Sequence, residues 1–203
     1  MRNDLRLLLA ELEAFGRAND AAETERGRRM LNITRDTGEF LAVLVRTAAA
    51  RRVLEIGTSN GYSTLWLAEA AEAVDGRVVT VERSVAKAEL ARRTFERSGI
   101  AHRVELVHGD AGAFLAAAGD ASFDLVFLDS DRSEYVRWWP DVARVLRRGG
   151  ALVVDNAVSH AGEMEEFVKR VACDPAYVAC VVPVGNGELV VTSAGGTGRL
   201  PVP

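Results

Sequence analysis

Asp129 closes the apolar run FDLVFLD, and Asp155 with Asn156 closes ALVVDN. If the two runs are neighbouring strands, their ends lie ~5 Å apart, and two carboxylates at that spacing repel unless a proton or a cation stands between them. Oxygen ligands of this kind select a hard divalent ion such as Mg²⁺, which takes a few protein oxygens and keeps places for water and substrate. The same aspartates could instead cap the helices that follow or bind a cofactor amine. A second group of residues lies earlier, where the run VLEI meets the loop GTSNG, with Gly57 and Gly61, and then a helical stretch. Such a loop turns backbone N–H groups toward an anion at a helix N-terminus. Ser59 occupies the place where a dinucleotide fingerprint needs its second glycine, which disfavours a pyrophosphate and with it a hydride-transferring enzyme. Glu82 ends the next apolar run roughly 20 residues on, where an acidic side chain can accept from both ribose hydroxyls. With Glu55 and the triplet GDA at 109–111, these residues predict a site for a nucleoside without a pyrophosphate.

Elements of the right kind surround both groups. Strands are expected at 51–56, 77–82, 103–108, 123–128, 151–155, 177–182 and 188–192, mostly as continuous apolar runs suited to a sheet covered on both faces. Helical stretches between them imply an α/β fold with a parallel sheet. The last two strands are joined only by PVGNG, too short for a parallel crossover, so they should form an antiparallel hairpin. Ser84 should cap a helix stopped by Gly99, and another should end at Gly149 and Gly150. Pro140 is expected to begin a fresh helical piece. Met164, Phe167, Val168 and Val171 give a later helix its buried stripe. Upstream, helices are expected over 4–48, the first with an apolar stripe of Leu5, Leu8, Leu9, Leu12 and Phe15. That stripe could dock on the sheet or join two subunits, so a homodimer is expected. Residues 1–193 read as one domain and 194–203 as a loose tail.

With 48% hydrophobic and 27% charged residues, the 203-residue chain has an ordinary globular composition and no stretch long enough for a membrane helix. Glu11 and Glu13 interrupt the first apolar run and no small-residue cleavage site follows, which points to a cytoplasmic protein. The formal charge of −4 weighs against an extended nucleic-acid surface. Arg26, Arg28, Arg29 and Arg35 cluster on what reads as a helical, solvated face with Glu23 and Glu25. Cys173 and Cys180 form no metal or disulfide pattern and are expected in the core.

Through LNITRDTGEFL, VLEIGTSNGYS, VTVE, GDA, FDLVFLDSDRSEY, GGALVVDNA and PVGNGE, from about Met30 to Thr192, the chain resembles the class I S-adenosylmethionine-dependent methyltransferases. It is more specifically similar to the metal-dependent catechol and caffeoyl-CoA O-methyltransferases. The resemblance implies a Rossmann-like three-layer sandwich with sheet order 3-2-1-4-5-7-6 and an antiparallel last strand. It implies that Gly57, Tyr62 and Ser63 hold the methionine end of the cofactor, Glu82 the ribose, and Asp110 with Ala111 the adenine edge. Glu55, Thr58, Ser59, Gly61, Arg83 and Asp129 complete the expected cofactor set. It also implies that Asp129, Asp155 and Asn156 hold a divalent cation, which would bind two adjacent acceptor oxygens.

Two features depart from that family. A lysine is usual three residues after the first metal aspartate, and here the position is Arg132, whose guanidinium stays protonated and can stabilise an oxyanion but cannot be the base. His160, four residues beyond Asn156, is the candidate base, since imidazole can exchange a proton near neutral pH. The loop between Asn156 and the next helix is also short, which predicts an open acceptor pocket that Trp138 or Trp139 could line. The expected activity is O-methylation of a small aromatic acceptor. A modified RNA nucleoside as acceptor, or a cofactor-binding module without catalysis, are the alternatives.

Overall fold

The computed structural model describes residues 1–194, so all of the expected tail beyond Ala194 lies outside the described residues. Seven strands form one sheet: β1 (Arg52–Ile56), β2 (Arg77–Glu82), β3 (Val104–His108), β4 (Phe123–Leu128), β5 (Leu146–Val154), β6 (Tyr177–Val182) and β7 (Glu188–Ser193). Their order is β3-β2-β1-β4-β5-β7-β6. All neighbours from β3 to β5 run parallel, and β7 is antiparallel to both β5 and β6. Helices α1 (Asn3–Ala22), α2 (Arg35–Thr47), α3 (Tyr62–Glu72) and α4 (Val85–Ser98) contribute to one apolar layer. Helices α5 (Ala111–Ala117), α6 (Tyr135–Val145) and α7 (Ala161–Ala172) contribute to the other. Every residue of β4 is buried, as a central strand covered on both faces must be. No helix among the described residues is long and apolar enough to cross a membrane.

The local signals work where their geometry is short-range. Ser84 Oγ accepts from Lys87 N at the start of α4, and Gly99 ends that helix in the left-handed conformation. Elsewhere packing overrides them. The aromatic stripe Tyr135, Trp138, Trp139, Val142 and Val145 is buried at helical spacing and carries α6 straight through Pro140. Burial of such rings offsets the ~3 kcal/mol that an interior proline costs. Helix α6 also ends earlier than Gly149, at Val145, because Leu146 already pairs with Phe123 of β4. Gly149 and Gly150 then lie inside β5, where the register to β4 shifts.

The first helix separates what a stripe alone could not. Leu5, Leu8, Leu9 and Leu12 are buried in their own chain, whereas Phe15 is 44% exposed. The inward position at that level belongs to Gly16, where a Cβ would stand 2.5 Å from Asn32 Nδ2. The missing side chain lets that amide donate to Leu12 O at 3.1 Å. Cys173 and Cys180 are exposed rather than in the core: the first caps the end of α7 and the second lies on β6, the edge strand, whose residues 178–181 face solvent. Nor do the four arginines share a helical face. A single 3-10 turn covers Arg26–Arg28, and α2 begins only at Arg35.

Leu9 and Phe15 therefore test the packing of α1. Leu9→Ala should lower stability by about 2–5 kcal/mol in a urea titration, as large-to-small core changes do, and Phe15→Ser by no more than about 0.5 kcal/mol. Equal losses would mean that the helix is docked in another rotation.

Candidate active site

The sheet register lines up the reactive strand ends. Ile56 pairs with Leu128 and with Val81, and Leu128 pairs with Val154, so Gly57, Glu82, Asp129 and Asp155 each stand one step past a paired position. The ladder continues through them: Gly57 N donates to Val81 O at 3.0 Å, Asp129 N to Ile56 O at 3.0 Å and Asp155 N to Leu128 O at 3.1 Å. This edge opens into a cavity of about 1160 Å³. Such a volume exceeds what one drug-sized ligand needs and leaves room for two.

Gly57 holds the centre of the floor. Its φ is +105°, and a Cβ there would meet Asp129 O at 2.0 Å, so only glycine allows β1 and β4 to leave the sheet this close together. Thr58, Ser59, Tyr62 and Ser63 follow it along the cavity wall, and Gly61, in the left-handed region, starts α3. The Tyr62 hydroxyl donates to Glu13 Oε1 on α1 at 2.6 Å, so the ring braces the fold and the backbone remains for a ligand. Glu82 lines the cavity while accepting from Ser59 N at 2.9 Å and Ser84 N at 2.8 Å, which fixes its carboxylate between the loop and α4. Arg83, Asp110 and Ala111 line the same side, Asp110 also capping α5 by accepting from Ala113 N at 2.8 Å.

Glu55 differs from its expected place. It is fully buried beneath the loop and absent from the cavity lining, with its oxygens accepting from Ser63 Oγ and Thr80 Oγ1 at 2.6 Å each and from Thr64 Oγ1. Burial pushes its carboxyl up to about 7 against the pull of those three hydroxyls. It supports the loop from below.

On the other half of the cavity stand Asp129, Asp155, Asn156, Arg132 and His160. Burial first, then the charge on Asp155, pushes the Asp129 carboxyl up, and burial also raises Asp155. Asn156 is held in the left-handed region at φ 69°, and its Oδ1 accepts from Arg132 Nη1 at 3.1 Å. The Arg132 side chain is only 5% exposed; its Nε pairs with Glu163 Oε2 at 2.8 Å, and its Nη2 has no acceptor among the described residues. His160 precedes α7, with Nδ1 at 2.9 Å from Ser159 Oγ.

Sequence reasoning missed Glu188. Because Val154 pairs with Leu189 in an antiparallel ladder, Glu188 falls opposite Asp155. It is fully buried, accepts from Thr37 Oγ1 at 2.9 Å, and its carboxyl is pushed up by burial and by the charge on Asp155. The signal was the expected hairpin together with an acid opening an otherwise apolar strand. Trp138 was placed only loosely: its indole N–H is buried without an acceptor beside Gly112, on the Asp110 side of the cavity. Trp139 packs in the core against Phe167 and Tyr177.

This sheet order and this doubled cavity define a Rossmann-like methyltransferase fold. A family model described as O-methyltransferase matches residues 8–193. A catechol O-methyltransferase of Mycobacterium tuberculosis is 43% identical over 149 residues, covering 73% of this chain and 66% of that protein, just under two thirds of its length. Among solved structures, cofactor-bound Rv0187 from MTB aligns with a TM-score of 0.77 at 34% identity, covering 91% of this chain and 89% of that one. An O-methyltransferase from Bacillus cereus in complex with SAH aligns with a TM-score of 0.76 at 28% identity, over 92% and 90% of the two chains. The chain belongs to the class I S-adenosylmethionine-dependent O-methyltransferase family.

The state of Glu55 gives the fold a pH dependence. Burial lifts its folded pKa from the ordinary 4.5 to about 7, so the native chain binds more protons than the unfolded one between those two values. Stability from this group is present below the unfolded value and lost as pH rises through the folded one. Denaturation of wild type and Glu55→Gln at pH 5 and pH 8 should show the difference moving in the variant's favour by about 3 kcal/mol, at ~1.36 kcal/mol per unit. A difference independent of pH would place an ionised Glu55 in the native state throughout.

Proposed function

We propose that this chain transfers a methyl group from S-adenosylmethionine to a hydroxyl of a small aromatic acceptor with vicinal hydroxyls, beside a divalent cation. The observation that carries the reading is one cavity lined on one half by the Gly57 loop and Glu82 and on the other by the carboxylate pair Asp129 and Asp155. The name of the Mycobacterium tuberculosis relative supports the acceptor class.

The residues suit both groups. Glu82 keeps acceptor capacity for ribose hydroxyls, the unsatisfied Trp138 N–H faces the adenine side, and the backbone at Gly57 and Ser63 borders the methionine end. Arg83, Asp110 and Ala111 complete that half. Asp129, Asp155 and Asn156 offer two carboxylates and an amide oxygen, a set for a hard ion that retains sites for water and acceptor. Among the described residues no group of three or more His, Cys, Asp or Glu is placed to hold a metal ion, so the set depends on the Asn156 amide as its third ligand. When bound, the cofactor supplies a methyl group on a cationic sulfur and the cation a Lewis acid for a hydroxyl oxygen. The chain's own part is positional and electrostatic. Arg132, held by Glu163 and Asn156, has Nη2 left to donate to an acceptor oxygen as negative charge develops there. Arginine cannot remove the proton, and His160 is the base, its second ring nitrogen left over from the Ser159 contact.

Two measurements divide this reading. Glu82→Gln should weaken S-adenosylhomocysteine binding at least about tenfold in calorimetry, through loss of a charged acceptor, without unfolding the chain. Unchanged affinity removes Glu82 from the ribose. Asp155→Asn should leave that affinity within about twofold while methylation of catechol falls by about a hundredfold or more, and excess chelator should impose the same defect on the wild type. Full wild-type turnover in chelator would remove the cation from the reaction.

A further inference from the structure

A strap from Arg26 to Ile33 roofs the cavity, and Asp20 on α1 holds it by accepting from Met30 N at 2.6 Å and Leu31 N at 2.9 Å. Directly after the strap, Thr34 caps α2 by accepting from Thr37 N at 3.1 Å. Thr37 is fully buried; its hydroxyl accepts from Thr34 Oγ1 at 3.1 Å and donates to Glu188 Oε1 at 2.9 Å. The turn of the β6–β7 hairpin closes on the same two threonines, where a Cβ at Gly185 would stand 2.2 Å from Thr37 Oγ1 and 2.5 Å from Thr34 Oγ1. That turn also carries the loop after Asp155: Asn186 O accepts from Val158 N at 3.2 Å and Ser159 N at 3.0 Å, and Gly187 O from Ala157 N at 2.8 Å. Helix α2, the hairpin and the loop that bears Asn156 and His160 are therefore packed as one unit.

Glu188 lies at its centre. It stands directly across the antiparallel pair from Asp155, one step past Val154 and Leu189, where facing side chains are ~5 Å apart. The two carboxyl groups are within hydrogen-bonding reach of each other. Asp155 lines the cavity and Glu188 does not, so Glu188 backs the carboxylate that a ligand meets. Folding alone gives no reason for an acid at this place. Like charges directly opposite each other oppose strand pairing, and Glu188 Oε2 is buried without a donor among the described residues. An apolar residue would simply extend the run Leu189, Val190 and Val191. Asp155, for its part, has Oδ1 accepting from Asn156 N at 2.7 Å, a donor next to it in sequence that moves with it. Glu188 is the contact that comes from another strand and is itself anchored to a helix.

We infer that Glu188 is a positioning residue for the cation site: anchored by Thr37, it braces the Asp155 carboxylate from behind and holds it toward the cavity. This rests on the reading of methyl transfer beside a divalent cation, whereas the place of Glu188 follows from the strand register and α2.

The test titrates Mn²⁺ into protein saturated with S-adenosylhomocysteine and reads the free ion by electron paramagnetic resonance, with calorimetric S-adenosylhomocysteine affinity and urea midpoints measured alongside. Glu188→Ala should weaken Mn²⁺ binding about tenfold or more, and Thr37→Val, with Glu188 still present, about threefold or more. Both should keep S-adenosylhomocysteine affinity within about twofold, because the cofactor half stands on other strands. Glu188→Gln, whose amide can accept from Thr37 and donate to Asp155, should bind Mn²⁺ within about threefold of wild type. In catechol turnover the Glu188→Ala defect should lie in the apparent KM for Mg²⁺, with kcat at saturating Mg²⁺ within about threefold of wild type. Wild-type Mn²⁺ affinity in Glu188→Ala would overturn the inference. So would an equal loss in Glu188→Gln, which would make charge rather than placement the cause, and so would parallel losses of Mn²⁺ and S-adenosylhomocysteine affinity, which would make Glu188 a part of the fold alone. Should the alanine variant not fold, unchanged Mn²⁺ affinity in Thr37→Val or a tenfold loss in Glu188→Gln would decide against it. A wild type that binds no Mn²⁺ would sink the cation reading and this inference together, whereas equal binding by wild type and Glu188→Ala would sink this inference and leave the cation in place.

Discussion

Four carboxyl groups, Glu55, Asp129, Asp155 and Glu188, stand at or near the ends of neighbouring strands, three of them buried and Asp129 half-buried. Charge in such a place costs several kcal/mol per group unless it is neutralised or paired. The surrounding structure supplies a different answer for each. Glu55 is surrounded by hydroxyl donors, Glu188 accepts from the Thr37 hydroxyl, and Arg132 brings a buried cation to the remaining two. Asp129 and Asp155 are left least compensated, and they alone of the four line the cavity. The negative charge that folding cannot hide is delivered to the place where a ligand can meet it.

The close approach of β1 and β4 sets how that delivery is made. Gly57 lets the chain leave β1 with its backbone against the Asp129 carbonyl, so the loop and the carboxylate pair share one wall. Glu82 then ties the loop to the cap of α4 through two backbone amides. Binding groups on both halves of the cavity are fixed by main-chain contacts and short side chains, which lose little entropy when a ligand arrives.

Much of this was legible in the residues because it depends on short-range rules. Apolar runs gave the strands, PVGNG gave the hairpin, and Ser84 with Gly99 bounded a helix. The site's floor was legible for the same reason, since strand-end residues follow directly from strand boundaries. What was not legible depends on which side chain wins a contest for space. Phe15 lost its inward place to Gly16 because Asn32 needed the room. Pro140 was absorbed because α6 buries three aromatic rings around it. Glu55 looked like a ligand contact and is a buttress, and the role of Glu188 required an antiparallel register to be followed to its last pair. The arginines of the strap read as one patch because sequence spacing carries no information on which guanidinium finds a carboxylate.

The strap hangs from α1 through Asp20, and Asn32 adds a second tie to the Leu12 carbonyl, whereas the floor is made by the ends of β1, β2, β4 and β5. Floor and roof therefore answer to separate supports. Changes in α1 or in the eight residues of the strap can reshape what is admitted without disturbing the strand ends below. In a lineage of such chains, the repertoire of acceptors could drift at the pace of a surface segment while the chemistry beneath stayed as slow to change as the sheet itself.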